Sequence, residues 1–151
     1  MQGQGSGVRG QGLDKPEPGT LVRRMELKTY RELDVWQKAM DLVVAAYSLS
    51  KGFPSEEKFG LTGQLRRAAV SIPANIAEGY GRSHRGEYLQ HLSIARGSLA
   101  ELETHLTVAV RLSFIDRSDA IESWSLSQEV GKMLNELMRS LEPKPRSKSG
   151  I

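Results

Sequence analysis

Residues 88–109 carry the pattern that most constrains the fold. Tyr88, Leu92, Ala95, Leu99, Leu102, Leu106 and Ala109 recur at spacings of 4, 3, 4, 3, 4 and 3. A heptad sustained over this length is a long amphipathic helix whose apolar seam must meet other helices. The spacing predicts a helix over 84–112 with Ser83 as its N-cap. At 1.5 Å per residue it is roughly 43 Å long. No stretch of the chain alternates apolar and polar residues long enough to argue for a strand.

Three more helical patterns surround it. Over 33–51, Trp36, Met40, Val43 and Tyr47 form one stripe. Val35, Ala39, Leu42, Ala46, Leu49 and Phe53 form a second. Two adjacent stripes make a wider apolar face than one partner helix needs. A helix over 56–79, with Ser55 as its cap, buries Leu61, Leu65, Ala68, Ile72 and Ile76. Pro73 lies inside it, so a kink is expected where the Ala69 carbonyl loses its donor. A last helix over 118–142, capped by Asp116 or Ser118, has Trp124, Val130, Leu134, Leu137 and Leu141 as its expected core. Short connections favour antiparallel neighbours, so the expected fold is all-α, an antiparallel up-down-up-down four-helix bundle.

The flanks differ in composition. Six of the fifteen glycines fall in the first 24 residues, which hold almost no apolar side chains. Such a segment cannot offset its ordering entropy, so 1–25 is expected to be a disordered extension, with Met25 a candidate start. The bundle is assigned to 26–142 and a basic tail to 143–151. The sequence holds no cysteine, which removes disulfides, thiolate metal sites and thiol nucleophiles and suits a reducing, cytoplasmic setting. No apolar run approaches the ~20 residues that span a bilayer, so no membrane role is expected.

Catalytic and metal-binding patterns are sparse. A di-metal carboxylate site in a bundle needs Glu-x-x-His on two helices, whereas Glu87 is followed at i+3 by Gln90 and Glu101 by Thr104. His84, His91 and His105 share a heptad position but stand roughly 10 and 21 Å apart along the helix, too far to share a metal. Glu87–His91 and Glu101–His105 read instead as i,i+4 surface pairs. The G-x-G-x-x-G at residues 5–10 follows no strand and opens no helix. No cofactor, metal site or catalytic group is assigned. One enzymatic alternative remains, since Arg85 and His91 form R-x5-H, which resembles the motif of HEPN-type metal-independent ribonucleases. Gly86 stands where that motif usually has a polar residue.

Residues 66–82, RRAAVSIPANIAEGYGR, are the most informative. Arg67, Ser71, Asn75 and Glu78 share one helix face and are assigned to a structural polar network, with Arg67 pairing Glu101 or Glu103. Ser71 and Asn75 flank Pro73 and are expected to bond the carbonyls it frees. Arg66, Arg82 and Arg85 lack such a role and are expected to be exposed and open to phosphate.

The runs YRELDVWQKAMDLV (30–43), QLRRAAVSIPANIAEGYGR (64–82) and YLQHLSIARGSLAELETHL (88–106) resemble the four-helix-bundle proteins encoded within 23S ribosomal-RNA intervening sequences, also called S23-type proteins. SIPANIAEG and GSLAELET are the most specific parts, and the resemblance covers residues 28–115. It implies a small bacterial cytosolic protein that assembles into a ring-like homopentamer. At fold level it is similar to the accessory variability proteins of diversity-generating retroelements, which bind nucleic acid and a reverse transcriptase. The double stripe on the first helix independently asks for a partner beyond the bundle.

The expected function is therefore a non-enzymatic, oligomeric bundle that binds structured nucleic acid, ribosomal RNA first, through Lys58, Arg66, Arg82, Arg85 and Arg96. A protein–protein adaptor is the other alternative. The net charge of +3 does not itself argue for RNA. Residues 26–142 hold 14 basic and 16 acidic side chains, so the basic excess sits in the flanks. Within the fold, residues 58–96 sum to +4 while 26–57 sum to −2 and 97–142 to −4. An interface with phosphate belongs on that central segment.

Overall fold

A computed structural model of the chain describes residues 29–143. The expected extension 1–25 and nearly all of the tail 143–151 lie outside the described residues. Four α-helices and two short 3-10 turns account for the described elements, and no strand is among them.

Helix α1, Asp34–Ser50, follows a 3-10 turn at Tyr30–Glu32. Of its two stripes, Val35, Ala39, Leu42 and Ala46 are buried, while Met40 and Tyr47 remain exposed. Helix α2, Leu61–Tyr80, begins five residues later than the periodicity predicts. Ser55–Glu57 form a separate 3-10 turn, and Gly60 breaks the path into the helix. The capping group is Glu57, whose Oε1 accepts the Leu61 N–H at 3.0 Å, in place of Ser55. The helix runs on through Pro73, whose ring is buried.

Helix α3, Arg85–Arg111, is 27 residues long. Its predicted seam holds from Leu92 to Ala109, all of it buried, with Tyr88 half-buried at the start. The N-cap position is His84, one residue beyond Ser83, and no side chain caps it. Ser113 has φ 62°. It closes α3 in a Schellman motif, with Phe114 N–H on Ala109 O at 2.9 Å and Ser113 N–H on Val110 O at 3.0 Å.

Helix α4, Arg117–Leu141, is capped by Asp116, whose backbone N–H donates to Asp119 Oδ2 at 3.0 Å. Its inner face is Ala120, Ser123, Ser127, Val130, Leu134 and Met138. Trp124 is not in the core as expected; it is 43% exposed. Small residues occupy the inward positions beside it, and an indole has no room between them. Leu137 and Leu141 are half-buried and pack on the core's edge.

Specific pairs tie the helices together. Arg66 of α2 reaches Ser50 of α1, and Ser71 of α2 meets Ser98 of α3. Arg96 and Glu103 of α3 meet Asn135 and Gln128 of α4, and Lys38 of α1 meets Glu129 of α4 at 3.3 Å. Phe53, after α1, packs on Phe114, after α3, with centroids 5.9 Å apart, so these two connections share one end of the bundle.

Candidate nucleic-acid interface

A polar chain crosses the contact between α2 and α3. Asn75 Nδ2 donates to Ser71 O at 2.9 Å and Ser71 Oγ at 3.1 Å. Its oxygen therefore faces His91, and His91 Nδ1 donates to it at 3.2 Å. Ser71 Oγ also shares a hydrogen bond with Ser98 Oγ at 2.8 Å. The chain thus links His91, Asn75, Ser71 and Ser98. Ser71 and Asn75 do belong to a structural network. Their bonds go to each other and to α3, however, and not to the carbonyl that Pro73 frees.

The other expected members lie outside it. Arg67 and Glu78 are exposed. Glu101 Oε2 stands 3.8 Å from His105 Nε2 on its own helix, and Glu103 accepts from Gln128. Neither carboxylate forms an ion pair with Arg67 among the described residues. The Arg67 guanidinium lies instead along its own helix, with Nη1 3.2 Å from where a β-carbon on Gly63 would sit. Toward the other end of α2 the two helices approach closely, since a β-carbon at Gly79 would lie 2.8 Å from His91 Cβ and 3.0 Å from Tyr88 Cδ1. The Glu101–His105 pair exists, but His105 is buried, not on the surface as expected. Its Nε2 is enclosed with no hydrogen-bond partner among the described residues. His91 turns to Asn75 and forms no ion pair with Glu87.

The five expected phosphate contacts occupy different settings. Arg66 is half-buried: its Nε donates to Ser50 Oγ at 2.8 Å and its guanidinium covers the Tyr47 ring at 4.6 Å. The structure gives it a packing role that its neighbours in sequence do not suggest. Arg82 is exposed and pairs with Glu78 at 3.1 Å. Arg96 donates to Asn135 Oδ1 at 3.1 Å and remains exposed. Lys58 and Arg85 are exposed without an ion pair among the described residues. Lys58 precedes α2 and Arg85 follows it, so the 20-residue helix holds them about 30 Å apart. Arg96, on α3 between the partners of Ser71 and Asn75, lies level with the middle of α2, so the local +4 is spread along the helix and is not one patch.

Sequence reasoning missed two exposed aromatics beside cations. Phe59 is 89% exposed, with Lys58 Nζ 5.5 Å from its ring centroid. Trp124 and Ile121 stand in a groove between α3 and α4 that also carries Arg111 and Arg117. Phe59 belongs to none of the apolar stripes and Trp124 reads as a core residue, so only the packed helices show both facing solvent.

A family model described as "23S rRNA-intervening sequence protein" matches residues 31–136, more than half of the chain. The chain belongs to the 23S rRNA-intervening sequence protein family. A solved neighbour from this group is a protein of unknown function from the S23 ribosomal protein family of Bacteroides thetaiotaomicron. It is 28% identical, covers 70% of this chain and 98% of its own, and superposes with a TM-score of 0.65. Comparison with curated proteins gave no match. Membership accounts for the four helices and agrees with the resemblance carried by SIPANIAEG and GSLAELET. The match extends through most of α4, the part that periodicity alone had supported. No described helix of this family member is long and apolar enough to cross a membrane.

Proposed function

We propose that this member of the intervening-sequence protein family is a non-enzymatic, cytoplasmic homo-oligomer that binds structured nucleic acid through phosphate contacts. Ribosomal RNA is the first ligand to test. The observation that carries the reading is Arg85. It is the first residue of α3, exposed, and its side chain makes no hydrogen bond or ion pair among the described residues. A cation at a helix N-terminus opposes the helix dipole, so helix stability does not account for it. Lys58 supplies a second unpaired cation, and Arg82 and Arg96 keep donors free beyond their single partners.

The up-down-up-down order is supported by the cross-helix pairs, in which residue number rises along one helix as it falls along the next. Oligomerisation is supported by Val44, 67% exposed, beside Met40 and Tyr47 on α1, and the pentameric ring is the form that the family resemblance implies. A ring would repeat a weak cationic surface into a usable one. The ribonuclease alternative is weakened by phase, because residues six apart on a helix point about 120° away from each other. Arg85 and His91 therefore do not share a face of α3.

The test is anisotropy of labelled 23S ribosomal-RNA fragments across a salt series, with light-scattering mass on the same samples. Affinity that falls steeply with salt, and falls further in Arg85→Ala, supports the reading. No binding at low salt, or binding indifferent to salt, defeats it. RNA cleavage lost in His91→Ala would replace it with the nuclease.

A further inference from the structure

The groove between the end of α3 and the start of α4 has a volume of about 450 Å³, within the usual range of ligand sites. Buried Leu106 and Ala120, half-buried Val110 and exposed Trp124 line it. Arg111 and Arg117 line it as well, and no carboxylate does. Neither arginine has an ion-pair partner among the described residues. Arg111 is in the last turn of α3, where the dipole favours a cation. Arg117 is the first residue of α4, where the dipole opposes one, so its charge needs another reason. An apolar slot lined by a half-exposed indole and two unpaired guanidinium groups suits a planar apolar body bearing a negative charge. Nucleotides have that form.

We propose that this groove takes an unpaired nucleotide of single-stranded RNA, with the base stacked on Trp124 and adjacent phosphates held by Arg111 and Arg117. The proposal rests on the nucleic-acid reading and adds to it a strand preference and a second contact region, none of whose residues belongs to the set built on Lys58 and Arg85. Stacking on an aromatic side chain tolerates any base, and forked guanidinium groups grip phosphate in a fixed geometry. A fully paired duplex has no base to insert and gains only the phosphate contacts.

The experiment uses the full chain, a short oligouridylate and a blunt RNA duplex of matched charge. Trp124 is one of two tryptophans, and the other, Trp36, packs edge-on against Tyr30 with ring centroids 5.2 Å apart. Oligouridylate should quench tryptophan emission in the wild type, and Trp124→Phe should abolish most of that quench. Arg111→Gln combined with Arg117→Gln should weaken oligouridylate binding about ten-fold and lower its salt slope by about 1.4, the share of two phosphates on a single strand. Duplex binding should change less. Circular dichroism confirms folding, since all three substituted side chains are exposed. Oligouridylate binding that survives the double substitution, or saturates without changing Trp124 emission, overturns the groove while leaving the parent reading intact. Absence of all RNA binding removes both. A fall in light-scattering mass in the double variant would assign the groove to a second copy of the chain and overturn the proposal.

Discussion

Individual residues here carry strain and closeness that composition does not reveal. Ser113 holds φ 62°, a left-handed conformation that costs an L-residue roughly 1–2 kcal/mol. Ser113→Gly should relieve part of this and raise stability by about 0.5–1 kcal/mol, read as a higher urea midpoint at unchanged slope. Gly79 is the opposite case. Any β-carbon there meets His91 Cβ at 2.8 Å, and both groups sit on helix backbones that cannot swing away. Gly79→Ala should lower stability by about 1–3 kcal/mol by chemical denaturation, despite alanine's better helix propensity. Nothing in a linear string shows what lies across the gap from Gly79. Sequence reading took Arg66 as free. The Tyr47 ring and Ser50 hydroxyl that hold it come from a different helix, 19 and 16 residues away respectively.

At the level of elements, the long seam of α3 was the most legible feature. Leucine and alanine at strict heptad spacing leave few alternatives for burial. Boundaries were less so. Helix α2 starts at Leu61 because Gly60 and the Glu57 carboxylate decide it locally, and a serine at position 55 gives a false signal. Trp124 misled for a related reason: a large apolar residue in register is not inward when serines occupy the seam. The α2–α3 contact also carries a pH dependence. The Tyr88 ring meets the Tyr80 ring edge-on, with centroids 6.0 Å apart. Burial, with a smaller contribution from Tyr80, pushes the Tyr88 phenol up to about 12, against about 10 in an unfolded chain. The folded state thus favours the neutral phenol. Its contribution is complete below pH 10 and is lost as pH rises through 12. Urea unfolding at mild and strongly alkaline pH should show a wild-type loss that is smaller in Tyr88→Phe.

For the whole molecule, the sequence placed a +4 surplus in residues 58–96, but folding spreads its cations along α2 from Lys58 before it to Arg85 after it. A linear charge count holds no information about which way a helix carries its ends. The exposed α1 residues Met40 and Tyr47 were foreshadowed by the double stripe, because a stripe wider than one contact is visible in spacing alone, whereas the more exposed Val44 lies in neither stripe. Val44→Asp should lower the light-scattering mass to that of the single chain while helical circular dichroism persists. A mass unchanged from wild type would place the self-association surface elsewhere.

The close seam between α2 and α3 also bears on how the chain reaches its fold. These two helices are joined by the short segment Gly81–His84 and locked by a connected set of side-chain hydrogen bonds. Contacts so near in sequence are cheap in loop-closure entropy. The pair should form a cooperative unit that assembles early and opens last. Amide hydrogens along the facing sides of α2 and α3 would then exchange more slowly than those of α4, whose contact with α3 leaves room for a groove.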